Sequence, residues 1–157
     1  MGSRLSGKSF MAVAVLAIMV MFASVVPLSA AGPNNRTWVK SGWKDGPVEL
    51  PATLGEIASL PLPRGSYAVS AKLWLWNPTD HVRLSNCKLS IGGQWDWVEE
   101  ETPSIQHEAI SLQVVGRLSA PGKAVLECFD QAAGQVQAHW IKITAIKASR
   151  LRNVPLD

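Results

Sequence analysis

Between residue 55 and residue 148 the chain alternates apolar and polar positions with a period of two, the spacing of extended strands rather than helices. The clearest run is Tyr67 to Trp76: Tyr67, Val69, Ala71, Leu73 and Leu75 take one face, and Ala68, Ser70, Lys72, Trp74 and Trp76 the other. Asn77-Pro78-Thr79-Asp80 then makes a turn. A second strand over Val82 to Ile91 aligns Cys87, Leu89 and Ile91, and Gly92-Gly93 closes it. A short strand from Gln94 to Val98 leads into an acidic, proline-bearing loop, Glu99 to Pro103. Ala109 to Leu118, Ala124 to Phe129 and Gln137 to Ala148 follow the same rule, the last with Ile141, Ile143 and Ala145 on its apolar side. Weaker extended segments precede them at Arg36 to Trp43 and Gly55 to Leu62. Strands with one apolar face must cover it, and two antiparallel sheets face to face is the simplest arrangement. The pattern therefore predicts an all-β antiparallel sandwich, jelly-roll-like, of eight to ten strands.

Residues 1–31 break that pattern. Arg4 and Lys8 precede an uncharged apolar run from Phe10 to Val26; Pro27 follows, and Ser29-Ala30-Ala31 presents small residues for cleavage. This is the layout of a signal-peptide helix, with an uncleaved membrane anchor as the alternative. The expected protein is then a single domain, residues 32–157, secreted or held at the cell surface. Composition sharpens the picture. The chain has 157 residues, 47% apolar and 17% charged, too apolar for disorder. Without Arg4 and Lys8, the 15 basic residues become 13 against 12 acidic ones. That balance argues against nucleic acid as a partner, since phosphate binding needs concentrated Lys and Arg.

Two cysteines, Cys87 and Cys128, fall at apolar-face strand positions. An oxidising compartment favours a bridge between them, closing 41 residues and worth about 4 kcal/mol in the chain-entropy model; two buried thiols are the alternative. His81, His107 and His139 show no metal-ligand spacing, and no nucleophile elbow is present. Asp96, Glu99, Glu100 and Glu101 form an acidic cluster. It allows a solvated loop, a calcium site using Asp96 and Glu99, or a hydrolase built on residues 96–101. Apart from that calcium, no cofactor is expected.

Tryptophan is the anomaly. There are seven, against four Phe and Tyr together. Trp74 and Trp76 lie two apart, and so do Trp95 and Trp97, so each pair shares a strand face. Two neighbouring indoles make a patch of about 300–500 Å², near the upper end of what a monomer leaves exposed. Three coverings compete. The N-terminal segment with Trp38 and Trp43 could fold across; a second copy or another extracellular protein could dock; or the four indoles could form a platform for sugars.

The stretches LPLPRGSYAVSAKLWLWN (60–77), CKLSIGG (87–93), ISLQVVGRLSAPGKAVLECFD (110–130) and IKITAIKASRL (141–151) resemble, in order and spacing, small exported bacterial jelly-roll domains of the actinobacterial type. The layout is also similar to the tumour-necrosis-factor-like and complement-head-like domains. The resemblance implies a ten-stranded jelly roll, typically trimeric, used for binding rather than catalysis. The chain departs from it in lacking an upstream Gly-x-y stalk and in its tryptophan content. The expected function is thus a non-enzymatic module for binding or self-assembly, with carbohydrate binding and hydrolysis as alternatives.

Overall fold

Nine strands account for most of the residues that the computed structural model describes: 37–132, 134–152 and 154. The proposed signal segment, 1–31, lies outside the described residues. In chain order the strands are β1 (Val39–Lys44), β2 (Val48–Glu49), β3 (Gly55–Leu62), β4 (Gly65–Asn77), β5 (Arg83–Ile91), β6 (Gln94–Thr102), β7 (Gln106–Leu118), β8 (Gly122–Asp130) and β9 (Gln137–Ala148). No helix occurs among the described residues.

The strands form two antiparallel sheets. One runs β1-β9-β4-β7, with β2 continuing the β1 edge against β9; the other runs β3-β8-β5-β6. Apart from the β5–β6 hairpin, successive strands from β2 to β9 cross from one sheet to the other. That alternation is the jelly-roll arrangement. The predicted inward residues do face inward: Val69, Ala71, Leu73 and Leu75 meet Leu89, Ile91, Leu126 and Cys128 in a core with almost no solvent access. Tyr67 is buried with them, its O–H donating to Pro63 O at 2.6 Å. Burial pushes the Tyr67 phenol pKa up.

Cys87 and Cys128 are bonded, joining directly opposite positions of β5 and β8 inside the core. The bridge therefore staples two neighbours of one sheet rather than the two layers. Gly92 and Gly93 make the β5–β6 turn with φ of 56° and 83°. A Cβ on Gly92 would also meet Arg117 O at 2.1 Å, so glycine is required there twice over.

Two expectations change. The acidic stretch is not a loop. β6 continues through Glu99, Glu100 and Glu101 to Thr102, because each pairs with β5 (Asn86↔Glu99, Ser85↔Glu100, Leu84↔Glu101). The N-terminal strand does not fold across a tryptophan face either. β1 extends the sheet sideways beside β9, while Trp38 packs edge-on against Tyr67, ring centroids 5.8 Å apart. Two lysines close the open side of the sandwich: Lys40 Nζ and Lys44 Nζ donate to Pro61 O and Ile57 O on β3. Charged side chains of this kind protect a sheet edge from adventitious pairing.

Candidate functional site

The outward side chains of the five-stranded sheet fall into rows set by strand register. At one end Val39, Ile146, Ala68 and Val115 stand abreast across β1, β9, β4 and β7. The next row is polar and neutral: Ser41, Thr144, Ser70 and Gln113. Then come Trp43, Lys142, Lys72 and Ser111. Trp74 follows with His139 and Ala109 beside it, and Trp76 with Gln137 and His107.

A β-bulge builds the aromatic end. The β4–β9 register slips between Lys72 and Trp74, so that His139 and Trp140 both occupy outward space between inward Ala138 and Ile141. Trp140 has φ 45°, a left-handed backbone that costs a tryptophan about 1–2 kcal/mol. Its N–H donates to Asp45 O at 2.8 Å, which holds the bulge. Glycine at position 46 lets the Asp45 loop approach, because a Cβ there would lie 2.5 Å from Ala138 O.

The bulge delivers Trp140 onto Trp74, edge to face at 4.8 Å. Trp74 also meets His107 (5.6 Å), and His107 stacks on Trp76 at 4.5 Å and 30°. His139 closes the group against His107 and Trp140 at 6.4 and 6.3 Å. The result is a packed aromatic pad that still faces solvent, with Trp74 44% and Trp140 56% exposed, and Trp43 nearby at 77%.

Trp95 and Trp97 do not join this pad. They point outward from β6, which belongs to the other sheet, so the four tryptophans of the expected platform divide between the two outer faces. Trp97 lies near Phe129, at 6.3 Å, among charged neighbours.

The acidic cluster is divided by strand alternation as well. Asp96 and Glu100 turn inward, Glu99 and Glu101 outward. Asp96 and Glu99 therefore lie on opposite faces of β6, and so do Glu99 and Glu100. Asp96 has a structural use: its Oδ2 accepts from Gln113 N on β7 at 2.8 Å, and its Oδ1 from Trp97 N at 3.0 Å. Among the described residues no three His, Cys, Asp or Glu side chains gather where a metal could sit. His81 pairs with Asp80 at 3.2 Å in an exposed turn, as a loop-shaping pair would.

Sequence reasoning missed three residues. His107, His139 and Trp140 were apart along the chain and only pairing brings them to Trp74 and Trp76. One signal was present: inward positions run Val136, Ala138, then Ile141, Ile143, and that step of three marks a bulge. A buried polar group was also missed. Asp130, opposite Ser85, and Thr102 are inaccessible to solvent, and no described group hydrogen-bonds their side-chain oxygens.

No family model matches the chain, and no curated protein matches it. Solved structures do. A chain in the structure of infectious bursal disease virus Gx strain aligns at TM-score 0.51 with 12% identity, over 74% of this chain and 36% of that one. This chain thus spans about a third of the viral chain's length. The globular domain of zebrafish complement 1qA protein aligns at TM-score 0.44 with 10% identity, covering 73% of this chain and 98% of that one. Eiger TNF from S. frugiperda aligns at TM-score 0.32 with 13% identity, covering 60% and 66%. At 12% identity the likeness to the viral chain is one of fold alone.

Proposed function

We propose that the chain is an exported, non-enzymatic β-sandwich module that binds or self-assembles through the outer face of its five-stranded sheet. One observation carries the reading: Trp74, Trp76, His107, His139 and Trp140 form a preassembled aromatic pad that remains open to solvent. Rigid aromatic side chains contribute large contact area at low entropic cost, which is why they dominate binding surfaces. The backbone strain at Trp140 supports it, since a fold that needed only stability would place glycine there. The Cys87–Cys128 bridge suits an oxidising environment and a rigid frame behind the face.

Two kinds of partner fit a pad of this sort. The exposed apolar row of Val39, Ile146 and Val115 favours a second copy. The indoles beside polar side chains favour a sugar. Light scattering and a glycan titration of the full chain and of Trp74→Ser/Trp76→Ser test the common claim. The wild type should form an oligomer or bind glycan, and the variant should lose that property while keeping its β spectrum. A variant that keeps whichever of the two properties the wild type shows, or a wild type that shows neither, would remove the face from consideration.

A further inference from the structure

The middle row of the same face carries two lysines that no ion pair among the described residues engages. Lys72 on β4 and Lys142 on β9 stand directly opposite each other, both exposed. Like charges in that position repel. Among the described residues the ion pairs are Asp80–His81, Lys88–Glu127 and Glu56–Lys123, and neither lysine takes part in one. The outward positions of β1, β4, β7 and β9 hold no Asp or Glu. The nearest acid by register is Asp45, just past β1, whose carbonyl accepts from Trp140 N, and Glu49 on β2 lies further along, opposite Gln137.

The surroundings suit a polyhydroxylated anion. On one side of the lysines a shallow depression is lined by Ser70, Ser111, Gln113 and Thr144 together with both lysines. On the other, Lys72 and Ser111 share a second depression with Trp74 and Trp140. Ammonium groups, hydroxyls and indole surface therefore follow one another across a few strands. A second copy docked here about a two-fold axis would bring four lysines together, which disfavours this row as the centre of a self-interface. Two lysines are also too few to hold a nucleic-acid backbone.

We infer that this row is a binding site for an acidic saccharide, a chain of hexuronic acids. The carboxylates sit over Lys72 and Lys142. The ring hydroxyls bond to the Ser70, Ser111 and Thr144 hydroxyls, and a pyranose face rests on Trp74 or Trp140. The inference rests on the contact-face reading above and names its ligand.

The test uses the full chain and two probes of one backbone, one anionic and one neutral: an oligogalacturonate and the same oligomer fully methyl-esterified. Tryptophan fluorescence and calorimetry read the binding. The acid should bind about tenfold or more tightly than the ester, since each lost charged hydrogen bond weakens binding by roughly that factor. Added salt should narrow the gap. Lys72→Gln/Lys142→Gln should bind the two probes alike while melting no lower than the wild type. Equal affinity for acid and ester, undiminished acid binding in the lysine variant, or no binding of either probe would overturn the inference. A chain that ignores both probes yet loses its oligomer in Trp74→Ser/Trp76→Ser would overturn the ligand and leave the contact face standing.

Discussion

The outer faces of the two sheets carry different charge: lysines mixed with glutamates on the four-stranded sheet, lysines among rings and hydroxyls on the five-stranded one. On the four-stranded sheet, Lys88 stands opposite Glu127 and pairs with it at 3.5 Å, while Lys123 reaches Glu56, which itself lies opposite Glu127. On the five-stranded sheet, the equivalent cross-strand position holds Lys72 against Lys142. One face pairs part of its charge within the chain, and the other presents two lysines with aromatic rings and hydroxyls beside them. Cross-strand geometry is the same in both, so the difference lies in residue choice. A surface that leaves favourable pairing unmade is one whose residues serve something other than stability.

That contrast can be broken in several ways. The largest expected effect concerns the frame. Cys87→Ala/Cys128→Ala should lose about 4 kcal/mol of stability by denaturant unfolding, as closing a loop of 41 residues predicts, while glycan affinity per folded molecule stays unchanged. Next is Trp140→Gly. It relieves the left-handed backbone and should be neutral or stabilising by about 1 kcal/mol in thermal melts, yet weaken binding at the pad. Lys72→Glu reverses one charge on the open face. It makes an ion pair with Lys142, should add about 0.2–1 kcal/mol, and should abolish the preference for acidic over esterified saccharide.

The smallest effect lies on the four-stranded sheet. The hydrogen bond from Lys123, then one from Ser59, holds the Glu56 carboxyl pKa below its ordinary value. Its folded value is therefore the depressed one. The stabilisation is present above the ordinary carboxylate range and fades as pH falls through the folded value. Lys123→Gln should flatten that part of the acid limb of the stability curve without touching binding.

The strands were legible because each half-buried strand repeats locally. The inward set of β4, Val69 to Leu75, and that of β9, Ile141 to Ala145, follow from sequence parity alone. The Cys87–Cys128 bond was legible for the same reason, both sulphurs lying at inward positions. What parity could not tell is which sheet each strand joins. Trp74 and Trp95 show identical local patterns, yet β4 and β6 belong to different sheets, because pairing is decided over long sequence separations. The glutamates were misplaced in a loop because charge and a nearby proline suggested a turn. β5 offered each of them a ladder partner, and edge strands accept charged residues readily. The pad itself needed the bulge, a one-residue slip visible only as a step of three in the inward pattern.

The most direct test labels the seven tryptophans with fluorine and follows their resonances as the partner binds, whether oligogalacturonate on titration or a second copy on concentration. Trp74, Trp76 and Trp140 should shift, with Trp43 following, while Trp95 and Trp97 stay fixed. Movement confined to Trp95 and Trp97 would place the contact on the opposite sheet and contradict the account.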